Sequence, residues 1–281
     1  MRRGRVLIAL IIAAIGGAYY FCNTQVNPVT GEKQRVALTP DQEVALGLQA
    51  APQMAAEFGG LHPDPAVQDY AERVGESIVA QSAARGADYK YDFHVLADPE
   101  TVNAFALPGG QIFITAALFK RLQNEAQLAG VLGHEIGHVV GRHSAEHLAK
   151  AQFTQILVGA AGVAGSSEDS SGQQAAAVAA MVGQMVNMSY GRKDELESDR
   201  FGVQYMSAAR YDPRSMKEVM RILAEASGGR GRAPEFLSTH PDPGNRQQEI
   251  EAEIARLFPN GVPPELSQGD GGAFAQIQAR M

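Results

Sequence analysis

The sequence contains no tryptophan and a single cysteine, Cys22. One thiol excludes an internal disulfide, and it excludes a zinc site built from several thiolates. Charged residues make up 20% of the chain and the net charge is -7, so a basic nucleic-acid-binding surface is not expected. Any metal ion bound by this chain must therefore rely on histidine and carboxylate ligands.

A five-residue motif, His134-Glu135-Ile136-Gly137-His138, lies in a stretch whose apolar residues recur at helical spacing. On a helix, residues 134 and 138 face the same side one turn apart, so their imidazoles can bind one metal ion. Glu135 then lies beside the open side of the metal, where a general base is needed. The motif predicts two zinc ligands, His134 and His138, and a base, Glu135. The alternative is a buried helix with two incidental histidines.

Three glycines, Gly133, Gly137 and Gly141, recur every four residues along the same predicted helix. Each of them costs about 1 kcal/mol relative to alanine inside a helix. This cost is explained if a second backbone packs closely against the glycines, and we expect such packing.

A catalytic zinc site usually has three protein ligands, so the motif needs a third. A histidine at position 144 would complete one known pattern, but that residue is Ser144. His143 is one residue short of this position. We interpret His143 and His147 as surface polar residues.

A second helix predicted downstream supplies carboxylates. Glu195 and Asp199 are four residues apart and share one helical face. Glu195 is predicted to be the third metal ligand. Asp199 is predicted to accept a hydrogen bond from the far nitrogen of a ligand histidine, which fixes the tautomer of that histidine. Glu197 is expected to be solvated, and the alternative for the whole segment is an ordinary acidic surface helix.

The first 22 residues are typical of a targeting segment. Arg2, Arg3 and Arg5 precede an uncharged run of 17 residues, 6–22, which is near the lower length limit for a helix that crosses a bilayer. The arginines favour the cytoplasmic side, which places the remainder of the chain outside the cytoplasm. We expect residues 6–22 to be a membrane anchor, with a cleaved signal peptide or lipidation at Cys22 as alternatives.

Composition and periodicity divide the chain into four parts, namely a targeting segment (1–22), a linker with a lead-in helix (23–60), a main domain (61–258) and a tail (259–281). The main domain is predicted to be mostly helical. Strands are predicted at 89–96 and within 103–115, where Pro108-Gly109-Gly110 forms the turn. The alanine- and glycine-rich region 149–188 is predicted to form two helices with a polar tip.

Four motifs occur together in one order along the chain. The run Asn103 to Gly110 comes first, the motifs at 134–138 and 195–200 follow, and the tripeptide Thr239-His240-Pro241 comes last. Together they resemble the gluzincin family of zinc metalloendopeptidases, which includes the CAAX prenyl proteases, HtpX and the periplasmic proteases BepA and LoiP. The resemblance covers roughly residues 40–257. It fits the short single-anchor branch best, because no transmembrane hairpins interrupt the region and no repeats follow it.

The resemblance implies an α+β, mostly helical zincin-type domain with a small sheet beside the metal helix. It implies one Zn²⁺ per chain, a location on the periplasmic side of the cell envelope, and cleavage of unfolded or misassembled envelope polypeptides. It also implies that Asn103, Ala104, Phe105 and Ala106 form an edge strand on which an extended substrate pairs.

The resemblance further implies an active-site role for His240. This residue either donates a hydrogen bond to the oxyanion of the tetrahedral intermediate or occupies the open zinc position and holds the enzyme off. A protein of a different functional class, an envelope chaperone or adaptor that rarely cleaves, is the alternative. Such a binder would not need the base Glu135, so the sequence favours an enzyme.

Overall fold

The computed structural model describes residues 2–165, 189–227, 234–241 and 244–281. The chain divides into two compact units, of which the first contains Met1–Thr39 and Ser144–Met188. The second contains Pro40–His143 and Ser189–Met281. Every residue predicted for the site lies in the second unit.

The first unit contains helix α1 (Arg2–Cys22) and a hairpin of strands β1 (Thr24–Val26) and β2 (Lys33–Arg35). Asn27 organises the turn between the strands, because its side-chain oxygen accepts hydrogen bonds from the backbone amides of Val29 and Thr30. The linker expected after residue 22 therefore begins with an ordered hairpin.

No helix in the described part of the chain is both long enough and apolar enough to cross a membrane. The membrane anchor expected at residues 6–22 stays a prediction.

The second unit is built mainly from helices. In chain order these begin with α2 (Pro40–Glu57), α3 (Pro65–Gln81), α4 (Ala116–Phe119) and α5 (Glu125–Val140). Helix α6 (His143–Gly165) contributes only its first residue, His143, to this unit. The later helices are α7 (Arg192–Ala208), α8 (Ser215–Ser227), α9 (Phe236–Thr239), α10 (Arg246–Leu257) and α11 (Gly271–Gln278).

Helix α3 begins with Pro65 in its first turn, and the Asp64 carboxylate caps it by accepting a hydrogen bond from the amide of Ala66. The region 149–188 was predicted to form two helices with a polar tip. Its described part belongs to α6, which is one continuous helix as far as Gly165, and residues 166–188 lie outside the described part.

The sheet of the second unit has three strands, β3 (Asp92–Leu96), β4 (Ala104–Ala106) and β5 (Gln111–Thr115), in the order β3-β5-β4. β3 is parallel to β5, and β4 is antiparallel to it. The turn between β4 and β5 contains Gly109 and Gly110 with φ of 81° and 111°, a conformation that favours glycine. The prediction of two strands joined at this turn is confirmed, and β4 lies at an edge of the sheet.

Helix α5 runs through the core and carries the His-Glu-x-x-His motif. Asn124 caps it by accepting a hydrogen bond from the amide of Gln127, and every residue from Ala126 to Val140 is buried. A Cβ atom added at Gly133 would lie 3.3 Å from Gly202, and one added at Gly137 would lie 3.0 Å from the Ser198 backbone, both on α7. The close backbone packing predicted from these two glycines is confirmed, and it fixes the distance between the two motif-bearing helices.

The last 23 residues are integrated into the second unit. The side chain of Phe274 in α11 is buried and stacks on Phe119, with ring centroids 5.5 Å apart. Arg280 binds Asp64 at 2.8 Å.

The second unit is thus α+β and mostly helical, with a small sheet beside α5, which is the fold that the resemblance implied.

Candidate metal centre

Four side chains offer ligand atoms to one point in the core: His134 and His138 from α5, Glu195 from α7, and His240 from the end of α9. All four are buried, and their ligand atoms lie within 4.8 Å of one another. The structure thus brings together the three predicted ligands, and it adds His240 to them.

The separations between these atoms match a tetrahedral site. His134 Nε2 lies 3.1 Å from His138 Nε2 and 3.6 Å from Glu195 Oε2. His240 Nδ1 lies 3.4 Å from His134 Nε2 and 3.1 Å from Glu195 Oε1. Ligand atoms about 2.0–2.1 Å from a tetrahedral zinc ion are about 3.3 Å apart, so the cluster has the size such an ion needs.

The chemistry of the cluster also fits a metal ion. Burial holds the pKa of His138 well below its usual range, so the imidazole is neutral and can donate a lone pair. Burial opposes ionisation of Glu195, but His240 and His138 outweigh it and hold the pKa of Glu195 well below its usual range. A neutral imidazole and an ionised carboxylate are the forms that bind a metal.

The carboxylate of Asp199 lies beside the His134 ring. Asp199 Oδ1 lies 2.9 Å from His134 Nδ1, on the far side of the ring from the other ligands. Burial disfavours the Asp199 carboxylate, but Arg246 and then His134 lower its pKa. Arg246 binds both carboxylate oxygens at 2.7 Å, so Asp199 is held rigidly against His134.

Two sequence interpretations are wrong. His143 is 1% exposed rather than on the surface, and Glu197 is 8% exposed rather than solvated. His143 Nδ1 lies 3.0 Å from His138 Nδ1, and His143 Nε2 lies 3.4 Å from Glu197 Oε2. His143 comes to this position because Arg142 adopts a left-handed conformation, with φ of 55°, that turns the chain back beneath the end of α5.

Glu135 and His240 face each other beside the ligands. Among the described residues, neither carboxylate oxygen of Glu135 has a hydrogen-bond partner, and neither does Nε2 of His240, which lies 3.7 Å from Glu135 Oε1. Burial raises the pKa of Glu135. Burial lowers the pKa of His240, but the carboxylates of Glu195 and Glu135 outweigh it, and the net shift is upward. Buried, unpartnered polar atoms are costly, so these groups point to a ligand or substrate between them.

Arg246 is a residue of the site that the sequence interpretation missed. Its guanidinium is fully buried and lies 2.9 Å from Glu195 Oε2 as well as beside Asp199. With Glu135, the site holds three carboxylates and one guanidinium, which leaves two negative charges when all are ionised. A divalent cation balances them. The excess of carboxylates among the predicted site residues was the signal in the sequence that a buried cation besides the metal was required.

Tyr190 was also missed. Its ring is buried and stacks on His138, with centroids 3.9 Å apart. It also lies 5.2 Å from the His240 ring. No motif contains Tyr190, and only the packing of the segment before α7 places it beside these histidines.

The predicted edge strand is at the edge of the sheet but is covered. Ala104, Phe105 and Ala106 are at most 9% exposed. The amide of Phe236 donates a hydrogen bond to the carbonyl of Val102, two residues before Ala104. The short helix that carries His240 thus begins beside the strand. Asn103 is buried, and its Oδ1 has no hydrogen-bond partner among the described residues.

Comparisons with known proteins agree with this site. Residues 65–254 match the model of Peptidase family M48. The mitochondrial metalloendopeptidase OMA1 of Schizosaccharomyces pombe is 33% identical over 255 residues, which are 89% of this chain and 72% of that protein. The beta-barrel assembly-enhancing proteases of Yersinia pestis and Escherichia coli are 31% and 30% identical over 83% of this chain. The chain spans about half the length of these two bacterial relatives, 48% in each.

The family match includes both motif-bearing helices and the segment with His240. It covers the sequence in which the structure gathers a four-residue histidine and glutamate cluster suited to a metal ion. The predicted class of enzyme is therefore confirmed: the chain belongs to peptidase family M48 and is a metalloendopeptidase.

Proposed function

We propose that this protein is a zinc-dependent endopeptidase that cleaves unfolded or misassembled polypeptides of the cell envelope. The observation that carries the proposal is the position of Glu135, buried and without a hydrogen-bond partner among the described residues, beside the candidate ligands His134, His138 and Glu195. The names of the bacterial relatives refer to beta-barrel assembly, which supports envelope proteins as substrates.

Each residue of the cluster has one task in this proposal. Zinc, when bound by the two histidines and Glu195, lowers the pKa of water and polarises a peptide carbonyl. Glu135 takes a proton from the attacking water and delivers it to the leaving amine. Asp199, held by Arg246, keeps His134 in the tautomer whose Nε2 is free to bind the metal.

Asn103 to Ala106 are proposed to bind the substrate backbone. An edge strand has unpaired amide and carbonyl groups, which an extended peptide can satisfy without regard to its side chains. Such binding suits substrates that are unfolded. Because β4 is covered in the structure, a peptide reaches this edge only after the short helix α9, which begins beside the strand, has moved.

His240 is proposed to be the gate of the site. Its Nδ1 lies at the fourth corner of the ligand cluster, 3.4 Å from His134 Nε2, where a catalytic site keeps an open position for water. Its backbone amide donates a hydrogen bond to the carbonyl of Phe236. The amide of Phe236 in turn donates to the carbonyl of Val102, beside the edge strand. One movement of this short helix would therefore free both the metal position and the edge of the sheet.

Replacing His240 with Ala should raise the basal rate of casein cleavage while zinc content stays near one per chain. If the blocked form holds about 90% of the molecules, removing the block raises turnover about tenfold. The rate is measured at fixed zinc, with His62→Ala as a control outside the cluster. A loss of about 10²-fold would instead assign His240 the role of oxyanion donor. An unchanged rate would contradict both roles.

Metal removal tests the proposed function as a whole. The full-length protein should digest casein, lose this activity after dialysis against a chelator, and regain it when about one equivalent of zinc is added. Cobalt and manganese are added in parallel, because the ligand set alone also suits other divalent ions. Undiminished cleavage by the metal-free protein would rule out the proposed mechanism.

A further inference from the structure

We propose that His143 and Glu197 form a hydrogen-bonded relay that orients His138, as Asp199 orients His134. This inference rests on the proposed function, in which His138 is a metal ligand. His143 acts on the metal only through His138 and is therefore a positioning residue.

Hydrogen positions along the relay follow from the ligand role of His138. Binding a metal through Nε2 leaves the proton of the neutral His138 ring on Nδ1. That N–H must then donate to His143 Nδ1, 3.0 Å away, so His143 carries its own proton on Nε2. The Nε2–H of His143 points toward Glu197 Oε2 at 3.4 Å, which completes the chain.

The opposite arrangement is disfavoured. If His138 Nδ1 carried no proton, it could only accept, and its ring would have to bind the metal as an anion. The hydroxyl of Ser198 lies 3.3 Å from His143 Nδ1 and can share that nitrogen, but it cannot replace the proton of His138. Donation from His138 to His143 is therefore the arrangement that satisfies both rings.

The fold holds His143 in place from two sides. Arg142, in its left-handed conformation, is paired with the buried carboxylate of Glu43, whose Oε1 lies 2.8 Å from Arg142 Nε. A Cβ atom added at Gly141 would collide with the His143 ring, so glycine at that position makes room for it. The third glycine of the stripe thus serves this relay rather than helix packing.

Both histidine ligands are consequently held by helix α7. Asp199 binds His134 directly, and Glu197 binds His138 through His143. The three acidic residues of the segment 195–199 would then all act on the metal site, Glu195 as a ligand and the other two through histidines.

The test compares two variants of similar shape in the full-length protein. His143→Leu fills the space but accepts no hydrogen bond, whereas the Oδ1 atom of His143→Asn can accept from His138. We expect zinc affinity, measured by competition with a chromophoric chelator, to fall about 10- to 100-fold in His143→Leu and to stay within about threefold of wild type in His143→Asn. His147→Leu, one turn further along the same helix, serves as the matched control and should bind zinc normally.

Two further measurements separate the possible failures. The d–d spectrum of the cobalt-substituted protein should change in His143→Leu and stay like wild type in His143→Asn. Equal affinity in His143→Leu and wild type, or equal losses in the Leu and Asn variants, would overturn the relay. If His143→Leu does not fold, as judged by circular dichroism, Glu197→Ala decides, since it should weaken zinc binding about tenfold and a wild-type affinity would overturn the proposal. If His134→Ala keeps its zinc, the ligand set itself is wrong, which is a separate result.

Discussion

Replacing Glu135 with Gln should leave the fold and the zinc content intact but reduce casein cleavage by at least about 10²-fold. Glutamine has the same shape as glutamate but cannot take up a proton, and removing a general base costs about 10²- to 10⁴-fold. The variant should also fold, because neither oxygen of Glu135 has a hydrogen-bond partner among the described residues. Initial rates, metal analysis and circular dichroism of the purified variant provide the test.

The control for this experiment is Glu100→Gln, which makes the same change at an exposed loop position. Wild-type cleavage is expected there. Equal cleavage by Glu135→Gln and wild type would remove Glu135 from the mechanism. It would also revive the alternative of a chaperone or adaptor that uses the same cleft for binding.

Replacing Glu195 with Gln should remove most of the bound zinc and, with it, the cleavage activity. Glu195 contributes the only carboxylate of the four-residue ligand cluster. Glutamine is a poor zinc ligand, and a site that loses one of three protein ligands loses most of its affinity. Glutamine retains the volume of the side chain and can still accept a hydrogen bond from Arg246. A truncation to alanine would remove this contact.

Zinc content after extensive dialysis is the measurement, with His134→Ala and His138→Ala expected to behave alike. Glu249→Ala, an exposed position on α10, is the control and should retain zinc. Full occupancy in Glu195→Gln would show that Glu195 is not a required ligand. Because His240 Nδ1 lies in the same cluster, that result would assign the third position to His240.

The residues that the sequence placed correctly are related by short, regular spacing. His134 and His138 share a face because they are four residues apart on one helix, and the same spacing relates Glu195 to Asp199. The glycines at 133 and 137 carry a cost that only close packing offsets, so they indicated a neighbouring backbone without identifying it. Local geometry of this kind follows from the backbone hydrogen bonds of the helix itself.

The positions of the residues that were misplaced depend on contacts with segments that are distant in sequence. His143 was interpreted as a surface residue because its position in the sequence does not place it on the helical face that carries His134 and His138. In the structure, the left-handed turn at Arg142, held by Glu43 from 99 residues away, folds it back against His138. Helical periodicity does not extend through such a turn. Glu197 was misplaced for the same reason, since its buried partner is His143.

By itself, the sequence determined the class of enzyme, the two histidines of the cluster as a pair, and the helical framework that carries them. Only the tertiary structure decided that Arg246 offsets one of the three carboxylate charges, that His240 lies at the fourth corner of the cluster, and that the edge strand is covered. The physical reason is that spacing along a helix is set by bonds within one segment, whereas burial and charge balance are set by segments that are distant in sequence. Those contacts exist only once the core has packed.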